Sequence, residues 1–356
     1  MLLIRMISFR FCWLFARVAY KLLTFFNVSR GQTVLLFYSQ SSNKFRNLDI
    51  IKEELLKRSG VRVAACSEND NPLKVILLLS ISKVILIDQS NSYLSNINLS
   101  ADTVVIQCWH GGGYLKKIAF DDIKNQNPRD YKRLMRIHRN IDYYIISDLR
   151  FVDAFAKAFN VSASKILPFG IPRTDKFYAR NSFKKVSRQK KVILYAPTFR
   201  ELAGSRCGPE IQPVPSQLLD KYKFLYRPHP SLSIKHLPDG WLDGSEYNPE
   251  DLLEQVDILI SDYSSIIFDF SFFRRPIILF IPDLYDYTSR ERGLYIHLDS
   301  ITSKTQIFSE WDSLYKYLSK GNFISSDLWD KFMLSCDGKS TTRVVDFIEN
   351  QISGSS

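Results

Sequence analysis

Asp257-Ile258-Leu259-Ile260-Ser261-Asp262-Tyr263-Ser264-Ser265, running on to Phe273 and then to Pro276-Ile277-Ile278-Leu279-Phe280, decides the fold. A short β-branched run that empties into a polar turn reads as a buried strand entering a loop. The stretch from Ser265 to Phe273 reads as a helix, and Pro276 to Phe280 as another buried strand. Strand, helix and strand in succession make a parallel sheet. Working outward, Val192 to Tyr195 and Lys223 to Tyr226 read as strands and Pro249 to Gln255 as a helix. The N-terminal half repeats this alternation. Strands are expected at Thr33 to Tyr38, Lys83 to Asp88, Val104 to Cys108 and Tyr143 to Ser147, with an apolar element at Lys74 to Leu79. Helices are expected at Leu48 to Arg58 and from about Arg150 to Phe159. Between the halves, Arg180 to Lys191 is polar, basic and poor in apolar residues, as an inter-domain linker is.

The expected architecture is therefore α/β, with two doubly wound Rossmann-type domains and a cleft between them. A chain of 356 residues suits two such domains, and 45% apolar with 24% charged residues marks a globular protein. The blocks are an N-terminal segment at 1–30, one domain at 31–180, a second at 190–340, and a final helix and tail at 341–356.

Net charge is +11, which calls for an anionic partner: nucleic acid, membrane surface or substrate. No acidic residue precedes Asp49, whereas Arg5, Arg10, Arg17, Lys21, Arg30, Lys44 and Arg46 are all basic. On a helix, Phe11, Phe15, Val18, Leu22 and Phe26 share one face, opposite Arg10, Arg17 and Lys21. That pattern suits a helix lying in an anionic membrane interface; a first helix packed on its own domain is the alternative. No run reaches the ~20 residues of a membrane span, and no signal-peptide cleavage site follows. Five scattered cysteines without a CxxC pair argue against a disulfide framework and a zinc site. Cys108 reads as a packed small hydrophobe.

Ligands of open α/β sheets bind beyond the carboxyl ends of the strands, and the chemical residues cluster there. His110 ends Val104-Val105-Ile106-Gln107-Cys108-Trp109-His110 and opens Gly111-Gly112-Gly113, with Lys116 and Lys117 just beyond. A neutral imidazole there can take a proton from an attacking hydroxyl, and lysines can hold phosphate oxygens. The glycines permit close approach of a ligand and positive φ. His229, between Pro228 and Pro230 with Arg227 two residues away, suits a charged leaving group. Asp262, Ser264 and Ser265 stand where a helix N-terminus can bind phosphate, although an ordinary N-cap explains the same residue types. Asp269 on the following helix joins the substrate-binding candidates. His138, His236 and His297 lack such settings. Asp121-Asp122 is weak evidence for a metal, so neither metal nor cofactor is expected, and there is no P-loop.

Six motifs occur in order: Gln107-x-Trp109-His110-Gly111, Gly170-x-Pro172-Arg173-x-Asp175, Tyr195-Ala196-Pro197-Thr198-Phe199-Arg200, Arg227-x-His229-Pro230, Ser261-Asp262-Tyr263-Ser264-Ser265 and Arg292-Gly293. From about Val104 to Tyr295 the chain resembles the CDP-glycerol glycerophosphotransferase family, the teichoic acid primases and polymerases and related capsule enzymes. It departs from the pattern at Gly112-Gly113, where Thr-Pro is common, and at Ala119, where glycine is common. The resemblance implies a GT-B-like pair of domains and a CDP-glycerol or CDP-ribitol donor bound by the C-terminal domain. It implies a lipid-linked saccharide or growing polyol-phosphate chain as acceptor, and a membrane-associated N-terminal region on the cytoplasmic face. It makes His110 and His229 the critical pair. Arg173, Thr198, Arg200 and Arg292 become substrate-binding candidates beside Gly111, Gly112, Lys116, Arg227, Asp262, Ser264, Ser265 and Asp269. A nucleotide-sugar glycosyltransferase and a non-catalytic, membrane-bound polyanion binder are the rival readings. Nucleic acid fits poorly, because the basic stretches are linker-like or amphipathic. Oligomeric state is not legible.

Overall fold

The structure, a computed structural model, describes residues 2–26, 31–39, 47–58, 60–109, 111–122, 127–179, 189–202, 205–229, 231–232, 234, 236–291 and 293–354. The chain forms two compact units. The first comprises Met1–His110, Asn125–Asp175 and Ser335–Ser356; the second comprises Gly111–Lys124 and Lys176–Leu334.

The first unit holds a six-stranded sheet: β1 (Thr33–Tyr38), β2 (Arg62–Ser67), β3 (Val84–Ile87), β4 (Val104–Gln107), β5 (Tyr143–Ile145) and β6 (Ile166–Leu167). Its order is β2-β1-β3-β4-β5-β6, with every pair parallel. The central strands are apolar along almost their whole length because both faces of a parallel sheet are covered. Leu36, Leu86 and Ile106 share one core with Leu48, Ile51 and Leu55 of helix Asn47–Leu55 and with Val344, Val345 and Ile348 of helix Ser340–Ser353. The helix Pro72–Ile81 begins at a polar cap, since Leu73 N–H donates to the Asn71 side chain at 2.9 Å and Pro72 needs no acceptor.

Helix Leu2–Phe26 answers the alternatives left by its sequence in part. Ala16 and Tyr20 are buried, Trp13 packs edge-on against Tyr93 at 5.2 Å, and the Tyr20 hydroxyl accepts from Ser100 N–H at 3.0 Å. The helix therefore does pack on its own unit. The stripe identified in sequence is nonetheless turned outward: Phe15 is 62% exposed, Val18 49%, Leu22 54% and Phe26 74%. Among the described residues no helix is long and apolar enough to cross a membrane.

The second unit holds β7 (Lys191–Ala196), β10 (Tyr222–Tyr226), β11 (Trp241–Asp243), β12 (Ile258–Ser261), β13 (Ile277–Phe280) and β14 (Ile307–Phe308), with a hairpin of β8 (Arg200–Leu202) and β9 (Ser205–Cys207) after β7. The parallel order is β11-β10-β7-β12-β13-β14. The chain winds outward from β7 to β11, then returns to place β12 on the other flank of β7. The order thus reverses between β7 and β12, and ligands of doubly wound sheets bind at such a switch point. An aromatic core of Tyr195, Phe224, Trp241, Phe280 and Trp311 packs against one face of this sheet.

Two corrections to the expected domain blocks follow. Residues 111–124 belong to the second unit. Gly111 to Gly113 lie against its helix Ile266–Ser271, Lys116 bridges Leu294 in antiparallel fashion, and Lys117 N–H donates to Gly293 C=O at 2.8 Å. Residues 335–356 belong to the first, where the last helix is buried and Asp346 and Glu349 pair with Arg58 at 3.0 and 3.2 Å. Of the expected linker, 180–188 lie outside the described residues, and Lys191 already begins β7.

Candidate active site

Four carboxyl-terminal strand ends of the second sheet supply the candidate residues: Thr198 and Arg200 after β7, His229 after β10, Asp262 to Ser265 after β12, and Asp283 after β13. Asp262 is fully buried and ties two of these loops together. It accepts from Thr198 N–H at 2.8 and 3.1 Å and pairs with the Arg200 guanidinium at 2.8 Å. Arg200 also grips Asp283, with Nη2 donating to Oδ1 at 3.1 Å, and its Nη1 donates to Thr198 C=O at 2.7 Å. Burial works against the Arg200 charge, but the two carboxylates hold its pKa well above the usual arginine value. The guanidinium lies 5.2 and 5.1 Å from the ring centroids of Tyr263 and Tyr287, which stack on each other at 3.7 Å. Asp262 and Arg200, expected to bind substrate, are thus held by each other and by Asp283.

His229 is half-buried. Its Nδ1 accepts from Ser231 N–H at 3.2 Å and lies 2.8 Å from the Ser231 hydroxyl, which leaves the ring proton on Nε2. Burial, followed by the positive charges of Lys116 and Arg206, pushes its pKa down to about 4. At neutral pH it is an uncharged donor in a cationic neighbourhood. Phe199 packs against the imidazole at 4.7 Å, and Arg206 covers the Phe199 ring at 4.7 Å. Lys116 Nζ is 3.4 Å from the Thr198 hydroxyl and 5.9 Å from the Tyr287 ring centroid. Beside His229 a cavity of about 470 Å³ is lined by Arg206, Tyr226, Pro228, Ser231 and His236.

Other candidates fall elsewhere or play different parts. Arg227 Nη1 donates to the carbonyls of Gly244, Ser245 and Tyr247 at 2.8, 3.3 and 2.9 Å, anchoring the loop after β11. Ser264 Oγ accepts from Ile266 N–H at 3.4 Å, Ser265 is exposed at the start of the helix, and Asp269 is buried on it. The glycine run serves packing. A Cβ on Gly111 would stand 3.2 Å from Ser265 Oγ, one on Gly112 2.6 Å from Met333, and one on Gly113, at φ +72°, 2.2 Å from the Phe268 ring. Ala119 adopts φ +47°, which explains why glycine suits that position.

Arg173 is buried in the first unit, where its N–H donates to Asn47 Oδ1 at 3.0 Å; Asp175 there accepts from Ser340 and Thr341 N–H at 3.0 and 2.7 Å and caps the last helix. His110 and Arg292 lie outside the described residues. His138 is a core histidine bonded to Tyr144 at 2.8 Å, while His236 and His297 are exposed. Asp283 and Tyr287 lie in the Asp283 to Gly293 loop, which the sequence marks as polar, aromatic and ligand-facing, and Tyr263 lies in the Ser261 to Ser265 motif; what sequence reasoning missed is that all three hold Arg200. Among the described residues, no three His, Cys, Asp or Glu side chains are grouped to hold a metal ion.

Two parallel α/β units, with a cationic, imidazole-bearing pocket at the switch point of the second, define a GT-B-like group-transfer enzyme. The chain belongs to the CDP-Glycerol:Poly(glycerophosphate) glycerophosphotransferase family, whose model matches residues 26–350. It is 33% identical over 306 residues to the teichoic acid glycerol-phosphate primase of Bacillus subtilis strain 168, covering 80% of this chain and 79% of that one. It is 34% identical over 301 residues to the teichoic acid ribitol-phosphate primase of Bacillus spizizenii W23, covering 76% of each. A solved structure of the wall teichoic acid polymerase TagF, an H444N form soaked with CDPG, shares the fold at a TM-score of 0.71 and 22% identity, covering 95% of this chain and 94% of that one. The protein is thus a phosphotransferase of the teichoic acid type.

Proposed function

We propose that this enzyme moves glycerol phosphate or ribitol phosphate from the CDP-polyol to a hydroxyl of a lipid-linked saccharide or a growing polyol-phosphate chain, for teichoic acid or capsule. The second unit takes the donor and the first serves the acceptor. One observation carries the reading: Lys116, Thr198, His229 and the Ser264 turn gather at the β7/β12 switch point with a positive charge balance around a neutral imidazole. Such a pocket suits a diphosphate, and the adjoining cavity has room for a nucleoside.

In the reaction the acceptor oxygen forms a bond to the polyol-bearing phosphorus while the bond from that phosphorus to the bridging oxygen breaks. CMP leaves with the electron pair, and the acceptor proton passes to His110 as general base. His229 Nε2–H and Lys116 face the charge that builds on the bridge and its oxygens. Positioning and electrostatics are the main tools of a phosphoryl-transfer enzyme. Gly111, the residue bonded to His110, packs against Ser265 in the donor unit, which supports His110 working at the phosphate.

The exposed Phe15, Val18, Leu22 and Phe26 face supports peripheral attachment to the anionic inner leaflet, where a lipid-linked acceptor would be met. Incubation of purified protein with CDP-glycerol or CDP-ribitol and a lipid-linked disaccharide should release CMP and add one or more polyol phosphates to the product mass. Release of UDP or GDP from a nucleotide sugar instead would establish the glycosyltransferase reading. His110→Ala should lower turnover on the order of 10²–10⁴-fold with CDP binding intact; undiminished turnover removes the base assignment.

A further inference from the structure

Trp109 carries φ +56°, a left-handed conformation that bulky side chains rarely adopt. It is the residue immediately before His110. Strained backbone persists only where its surroundings hold it, and such strain gathers at functional sites. The surroundings here are specific. Asn47, itself only 2% exposed, donates through Nδ2 to the carbonyls of Cys108 at 3.0 Å and Trp109 at 2.8 Å. The Trp109 N–H donates to Gln107 Oε1 at 3.0 Å, and the indole packs edge-on against Phe159 at 5.4 Å. Both hydrogens of the Asn47 amide are thus committed to consecutive carbonyls. Its remaining atom, Oδ1, accepts from Arg173 N–H at 3.0 Å, in the Gly170 to Asp175 turn.

We infer that Asn47 is a positioning residue for the transfer reaction: its amide clamps the left-handed Trp109 backbone and thereby sets the entry of the chain into His110. The inference rests on His110 being the general base. Asparagine is the fitting type, because the clamp needs two N–H donors and one acceptor in one plane. Aspartate has the same shape and can still accept from Arg173, but it presents oxygen to two carbonyls.

The test uses the full chain. Asn47→Asp should lower kcat about 10- to 100-fold, the scale of a misplaced catalytic group, with KM for CDP-glycerol within about twofold. Glycine adopts φ +56° freely, so Asn47→Asp combined with Trp109→Gly should regain at least about threefold in kcat over Asn47→Asp alone. A purely structural role predicts the reverse, because removing the indole then adds a second loss. Undiminished kcat in Asn47→Asp, or a further fall in the double variant, overturns the inference. If Asn47→Asp fails to fold, Asn47→Ser, which keeps one donor, is compared with and without Trp109→Gly by the same criteria. Were His110→Ala to remain active, the base assignment would fall instead, whatever Asn47 does.

Discussion

At neutral pH the folded protein holds the His229 imidazole uncharged, and this ties its stability to acidity. Its pKa lies near 4, against 6.5 for an ordinary histidine, and burial holds His138 near 4 as well. Below about pH 6.5 the unfolded chain binds protons at these positions that the native state refuses. The stability they contribute is therefore complete above that pH and lost progressively as pH falls toward 4. The midpoint of urea unfolding should drop between pH 7 and pH 4.5, and His229→Gln should shrink that drop. An equal drop in the variant would mean that the imidazole is already charged in the native state. Residue types at this scale were readable, but their partners were not. Asp262 stands out as a substrate-binding candidate because it follows a strand, and Arg200 because of its motif, whereas sequence spacing says nothing of the 2.8 Å between them. Asn47 gave no signal, since a lone asparagine opening a helix is most simply a cap.

Among the elements, β1, β3, β4, β7, β10, β12 and β13 were legible because interior parallel strands are apolar on both faces. The strand β2 and the short strands β6, β11 and β14 were not. β2 buries only Cys66, and the other three pair over two or three residues at or near a sheet edge. Helix Pro128–His138 escaped for a related reason: it buries Leu134 alone. The apolar stripe of the N-terminal helix was legible, though a stripe cannot say which face a protein keeps for itself. Since Phe15, Leu22 and Phe26 touch little of their own unit, changing all three to serine should leave the melting temperature within about 2 °C, as surface changes do. Binding to vesicles rich in phosphatidylglycerol should fall at least about tenfold in a sedimentation assay. Undiminished binding would move the membrane contact to another surface.

Over the whole molecule, the two-sheet plan was legible and the chain's path was not, because contiguous blocks are the default and crossings leave no composition signal. The backbone passes between units after His110, Lys124, Asp175 and Leu334. Helix Ser340–Ser353 adds Val344, Val345 and Ile348 to the first core, and burying three such side chains is worth roughly 5–9 kcal/mol. That is comparable with the whole stability of a domain. Removing residues 340–356 should therefore unfold the first unit while CDP still binds the second, as read by circular dichroism and calorimetry. Loss of CDP binding together with the first unit would show that the second cannot stand alone.

The same terminal helix dictates a timetable on the ribosome. The stretch that opens the first unit is made early, yet one face of its sheet, covered in part by helix Asn47–Leu55, stays incomplete until residues 335–356 leave the exit tunnel. The second unit is complete once Leu334 is made, before the first, and can mature while translation is still under way. In the interval, an oily leading helix and a half-dressed sheet wait together in the cytosol. That exposed pair is where chaperones, or the lipid surface itself, would first take hold of the nascent enzyme.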